Sequence, residues 1–160
     1  MQICFFIGHR DAPENLYGQI LAEAENCIRV YGDMEFIVGR YGHFDTMAAR
    51  AVITLKEKYP GIRLIQLVPD LPPKPLLPGF DGSVYPLGAE RVPKRAAIIR
   101  ANQYIAKKSS VLIAYAVYPA SNAWNLVESI QHRINSGELI CIRLSQAYNH
   151  CRIDNPEVNY

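Results

Sequence analysis

Short apolar runs with almost no charge recur along the chain, at residues 3–7, 35–38, 63–68, 111–116 and 139–144. None alternates cleanly between apolar and polar residues. Strands buried on both faces read this way, which points to a parallel sheet covered by helices on each side. Parallel neighbours require crossovers, and the intervening segments supply them. Leu16, Ile20, Ala24, Cys27, Ile28 and Tyr31 fall on one helical stripe that Gly32 ends. Met47, Ala48, Ala51, Val52 and Leu55 form a second stripe, stopped by Pro60. A third helix is expected from about Pro93 to Lys108, since proline suits a first helical turn. A fourth is expected from about Ser121 to Asn135, with Ser121 or Asn122 as N-cap and Gly137 closing it. This alternation, with right-handed crossovers, predicts an α/β fold: a Rossmann-like, doubly wound parallel sheet in three layers.

The 160 residues fit a single domain, expected over 1–145, with a polar C-terminal tail at 146–160. Pro72, Pro73, Pro75 and Pro78 interrupt the pattern and make residues 70–78 a long loop; a short strand is expected at about 83–86. With 49% hydrophobic and 20% charged residues there is enough apolar surface to exclude a mainly disordered chain. No apolar run is long enough to span a bilayer, so no membrane partner is expected. The opening residues lack the basic region of a signal peptide, and Gly8 breaks them. Cys4, Cys27, Cys141 and Cys151 form no C-x-x-C pair and read as reduced thiols, with Cys4 and Cys141 in buried strands. A cytoplasmic protein is the expectation. The histidines are scattered, so neither a metal site nor a cofactor is expected. A net charge of +2 offers no broad footprint for phosphates, and nucleic acid is not expected as a partner.

In an open parallel sheet the ligand crevice lies beyond the carboxyl ends of the strands. Three turns should meet there. Gly8, His9 and Arg10 follow the first strand; Arg10 either offers a planar fork to an anion or is simply solvated. Gly39, Arg40, Gly42, Phe44 and Asp45 join the second strand to the second helix. The two glycines let the backbone approach a ligand, and the helix N-terminus beyond them favours an anion. Asp45 either caps that helix or binds ribose hydroxyls. The third group comprises Arg95, Arg100 and Asn102 on the third helix, with Arg91 and Lys94 nearby, and Ser121 and Asn122 opening the fourth. Arg95 and Arg100 are not three or four residues apart, so they do not share a helical stripe. Dinucleotide-binding and P-loop fingerprints are both missing.

These residues carry a resemblance. Phe5-Phe6-Ile7-Gly8-His9-Arg10 resembles an F-x-G-H-R opening. Phe36-Ile37-Val38-Gly39 and Gly42-His43-Phe44-Asp45-Thr46-Met47-Ala48 resemble a V-G-x-x-G-x-F-D-x-x-A block. Pro93-Lys94-Arg95-Ala96-Ala97-Ile98 and Arg100-Ala101-Asn102-Gln103-Tyr104 are similar to P-x-R-x-A-I and R-N-x-x-M blocks. Together they resemble a group of small bacterial and phage proteins in the SLOG superfamily, which also contains the Smf/DprA proteins and the Lonely Guy phosphoribohydrolases. The resemblance implies a Rossmann-like domain binding a nucleotide or nucleotide-derived anionic small molecule, as a sensor or sequestering module, and a two-fold homodimer. The alternative is a nucleotide N-glycosidase or phosphoribohydrolase with a non-standard catalytic set. Ser121-Asn122-Ala123 stand where the superfamily carries G-G-T or G-G-A, and Leu126 stands where the Lonely Guy enzymes carry a glutamate. Leucine supplies no acid, base or charge, so the catalytic residues remain unassigned. A scaffold whose site has decayed is the third reading.

Overall fold

In the computed structural model, which describes residues 1–69, 75–86 and 93–146, the apolar runs become strands of one sheet. These are β1 (Gln2–Gly8), β2 (Met34–Val38), β3 (Arg63–Leu67), β4 (Gly82–Val84), β5 (Val111–Tyr115) and β6 (Ile140–Arg143). Their order is β4-β3-β2-β1-β5-β6, and every neighbouring pair is parallel. The expected doubly wound α/β sheet is observed. Successive strands move outward from β1 to β4, then restart on the other side with β5 and β6. The strand order therefore reverses between β1 and β5, and a crevice opens at such a switch point.

The helices are α1 (Tyr17–Tyr31), α2 (His43–Lys58), α3 (Lys94–Lys108), α4 (Asn122–Ser129) and α5 (Gln131–Asn135). They divide between the faces because neighbouring residues of a strand point oppositely. Cys4, Phe6, Phe36 and Leu64 face one side and pack with Ile20 and Ala24 of α1 and Met47 and Ala51 of α2. Phe5, Ile37 and Ile65 face the other and pack with Ala101 and Ile105 of α3 and Leu126 and Val127 of α4. The stripe of α1 ends as expected: Gly32 turns left-handed at φ 78°, and its N–H bonds the Ile28 carbonyl at 2.8 Å.

Four details differ from the expectation. The fourth helix is divided at Ile130, where φ is −110° and ψ 12°. Ser129 Oγ donates to the Leu126 carbonyl at 2.7 Å, a local bond that competes with the helical ladder. A 3-10 turn at Glu14–Leu16 precedes α1, so Leu16, expected on the helical stripe, lies just before the helix. The short fourth strand lies at Gly82–Val84, a residue or two earlier than expected. Cys4 is fully buried but Cys141 is only half-buried, because β6 is an edge strand with one side uncovered. Residues 70–74, Arg91, Cys151 and the expected tail beyond Gln146 lie outside the described residues. Among the described residues, no helix is long and apolar enough to cross a membrane.

Candidate functional site

The carboxyl ends of β1 and β5 frame a cleft of about 760 Å3. That volume falls within the range of pockets that hold one small ligand. Phe5, Ile7 and Leu67 contribute apolar lining. The three turns expected to converge do so. Gly8, His9, Arg10, Gly39, Gly42, Asp45, Arg95, Asn102, Ser121 and Asn122 all line the cleft. Three candidate residues do not. Phe44 is fully buried beneath Gly8 and stacks on Tyr115 at 6.5 Å. The Arg40 guanidinium reaches the Pro75 carbonyl at 3.4 Å. Arg100, five residues beyond Arg95, is exposed on another side of α3. The cleft also takes in Lys94, which the sequence groups with Arg95, and Asp11, Tyr41 and Tyr118, which the sequence does not single out. Tyr118 precedes the expected cap Ser121 by three residues.

The glycines have a different reason from the expected approach of a ligand. A Cβ at Gly8 would enter the Phe44 ring, and one at Gly42 would lie 2.5 Å from Arg10 Cα. A Cβ at Gly39 would come within 2.9 Å of Asp45 Oδ2. The chain's own close packing therefore fills the space that glycine leaves. The loops after β1 and β2 press backbone to backbone, and the His43 N–H donates to the Arg10 carbonyl at 2.8 Å. His43 also lies against the Ala12 carbonyl at 2.6 Å and the Glu14 carboxylate at 2.8 Å.

Asp45 does not take the cap role open to it in the sequence. Gly42 is the N-cap of α2, in extended backbone, and Asp45 sits in the first turn. Its Oδ2 accepts the Tyr41 N–H at 3.0 Å and so braces the loop before the helix. Burial raises its pKa from 3.8 to about 6, against the opposing pull of the Tyr41 N–H and the Arg10 charge. The N-terminus of α2 thus already meets a carboxylate and a carbonyl of its own chain. At α4, Ser121 accepts the Trp124 N–H at 3.2 Å and donates to the Tyr118 carbonyl at 2.8 Å. Ala120, just before it, is left-handed at φ 65°. His9 is turned toward the backbone between β5 and α4, and burial lowers its pKa despite the nearby Asp11 charge.

Arg10, Lys94 and Arg95 make the rim of the cleft basic. Among the described residues, no ion pair engages Arg10 or Arg95. Leu126 of α4 is buried in the core against the sheet. Among the described residues, no three His, Cys, Asp or Glu side chains are grouped to hold a metal ion.

No family model and no curated protein matches the sequence. Solved structures do match the fold. DNA processing protein A (DprA) from Streptococcus pneumoniae superposes over 91% of this chain and 50% of its own, with a TM-score of 0.62 and 14% identity. The present chain thus spans about half the length of that protein. DNA processing protein A from Helicobacter pylori, described for its single-stranded DNA binding mode, superposes over 96% of this chain and 81% of its own, with a TM-score of 0.54 and 14% identity. This likeness corrects the expectation that nucleic acid is not a partner. A protein of this fold binds single-stranded DNA, and a charge summed over the whole chain does not measure a local surface. The chain has the Rossmann-like fold of these two DNA processing proteins, a parallel α/β sheet covered on both faces.

Proposed function

We propose that this chain is a nucleotide-binding module that takes a phosphate-bearing nucleotide unit into the cleft at the β1/β5 switch point, with single-stranded DNA as its ligand. The observation that carries this reading is the rim. Arg10, Lys94 and Arg95 converge from two elements on one cleft, next to the opening turn of α4. Guanidinium groups match phosphate oxygens in a planar, bidentate way. The backbone N–H groups that open α4 favour the same charge. The opening turn of α2 is the weaker anion seat, because Asp45 and the Arg10 carbonyl already face it. Apolar walls at Phe5, Ile7 and Leu67, with Tyr41 and Tyr118 at the edge, suit a base or sugar. The single-stranded DNA binding described for the Helicobacter pylori protein supports the choice of ligand.

A second reading is a free nucleotide held as a sensed or sequestered small molecule. The bounded volume of the cleft favours it, since about 760 Å3 suits one ligand unit. Anisotropy with a labelled oligodeoxythymidylate, beside calorimetry with nucleoside monophosphates, separates the two. Arg10→Ala and Arg95→Ala are each expected to weaken binding by about 1.5–3 kcal/mol, the range for a hydrogen bond to a charged group. Unchanged affinity in both variants removes the cleft from the binding site. Calorimetric binding of mononucleotides, with no gain for the oligonucleotide, selects the second reading.

A further inference from the structure

The β1–β5 ladder ends with Gly8 opposite Tyr115. The next step is made by a side chain. His9 Nε2 accepts the backbone N–H of Val117 at 3.0 Å and that of Tyr118 at 3.3 Å. A nitrogen that accepts carries no proton, so the ring is neutral and its single N–H is on Nδ1. The imidazole is buried, edge-on to Tyr115 at 5.1 Å and tilted over Tyr118 at 4.4 Å. From Tyr118 the support passes onward. Its carbonyl accepts both the backbone N–H and the hydroxyl of Ser121, and Ser121 caps α4. One ring nitrogen therefore anchors the wall of the cleft that leads into the α4 N-terminus.

We propose that His9 is a proton-controlled latch on this wall: neutral, it holds residues 117–122 in the form that accepts a ligand, and protonated, it releases them and weakens binding. The proposal rests on the nucleotide-binding reading of the cleft and adds its regulation. Protonation of Nε2 removes the acceptor and sets a donor against two donors, so both amide bonds are lost together. Among the described residues, three titratable groups face the ring. Asp11, from the loop that follows β1, favours the imidazolium through its charge. Tyr115 from β5 and Tyr118 from the wall itself complete the set. Burial outweighs Asp11 and holds the imidazole below its usual range, and burial raises the Tyr115 phenol further from neutrality. The latch is thus closed at neutral pH and opens in acid.

The full chain tests this in two arms. Nitrogen-detected NMR of the unliganded protein reads the His9 tautomer and follows the Val117 and Tyr118 amides from about pH 8 to about pH 5. The expected result is a proton on Nδ1 at the upper end, with both amides shifting at the His9 midpoint. Anisotropy of a labelled oligodeoxythymidylate, whose bases take up no proton in this range, then reads affinity. It is expected to fall by up to about tenfold per pH unit below the midpoint, the limit for one linked proton. Asp45 also titrates near this range, so variants separate the two groups. His9→Gln keeps an accepting oxygen that gains no proton; whatever its affinity at neutral pH, it is expected to lose the acid-dependent fall. His9→Leu, without an acceptor, is expected to bind weakly throughout. A proton on Nε2, amides indifferent to the His9 titration, or an undiminished acid fall in His9→Gln each overturn the latch. No oligonucleotide binding at any pH refutes single-stranded DNA as the ligand instead, and the resonances still decide the latch.

Discussion

Asp45 is ionised at neutral pH only against the pull of its surroundings. Its carboxyl titrates near 3.8 when unperturbed and at about 6 in the fold. Between those values the folded chain holds more of the proton than the unfolded one, so stability falls as pH rises through this window. Below it the penalty is absent, and above it the full penalty of about 1–3 kcal/mol applies. Asp45→Asn retains an oxygen to accept the Tyr41 N–H and cannot ionise. We expect the variant to be more stable than the native chain by that amount near pH 8 and equal to it near pH 4. Urea unfolding at both pH values checks this, and a difference independent of pH would contradict the shifted titration. Groups held out of their ordinary titration range cluster at functional sites, and this one lines the cleft. Ala120, just before the α4 cap, has strained backbone, with φ at 65°. Left-handed backbone costs an L-residue about 1–2 kcal/mol, partly offset in glycine by the greater entropy of its unfolded chain. Ala120→Gly should therefore raise stability by about 0.5–1 kcal/mol, seen as a higher melting midpoint.

At the scale of elements, the site depends on how closely the loop after β1 meets the start of α2. A Cβ at Gly42 would strike Arg10 Cα, a backbone atom that no rotamer change can move. Gly42→Ala is expected to destabilise by about 1–3 kcal/mol, the range for forced overpacking. Gly18 in α1 is the control, because a Cβ there meets nothing within 4 Å. Gly18→Ala should gain up to about 1 kcal/mol from helix propensity. Thermal unfolding of the pair checks both signs, and equal effects would show that the contact with Arg10 does not limit the turn. These contacts mark the boundary of what sequence could reveal. Strands buried on both faces leave unbroken apolar runs, and helices over them leave stripes, so the sheet and its carboxyl-edge turns were legible. Gly42 signalled a close approach, yet nothing in the sequence said that Arg10 was the neighbour, 32 positions away in the numbering. The break at Ile130 turns on the direction of the Ser129 hydroxyl, and the role of His9 turns on which nitrogen meets which amide. Neither is encoded in residue type or spacing.

For the whole molecule, the net charge of +2 conceals how the charges are used. Many surface cations are matched: Arg50 with Glu14, Lys56 with Asp81, Lys58 with Glu25 and Arg63 with Glu35. The rim of the cleft draws its positive character from Arg10, Lys94 and Arg95, and Asp11 and Asp45 offset part of it. A single-stranded ligand confined to this cleft can therefore release few counterions. For single strands the logarithm of the binding constant falls with the logarithm of salt at about 0.7 per neutralised phosphate. Three rim cations set a limiting slope of about −2. Titrating labelled oligodeoxythymidylate over a series of potassium chloride concentrations measures it directly. A slope near this value, reduced by roughly 0.7 in Arg10→Ala or Arg95→Ala, places the phosphates on the rim. A slope of about −4 or steeper, unaltered by either variant, would mean that DNA lies over a surface wider than the cleft, and the site would have to be sought elsewhere on the fold.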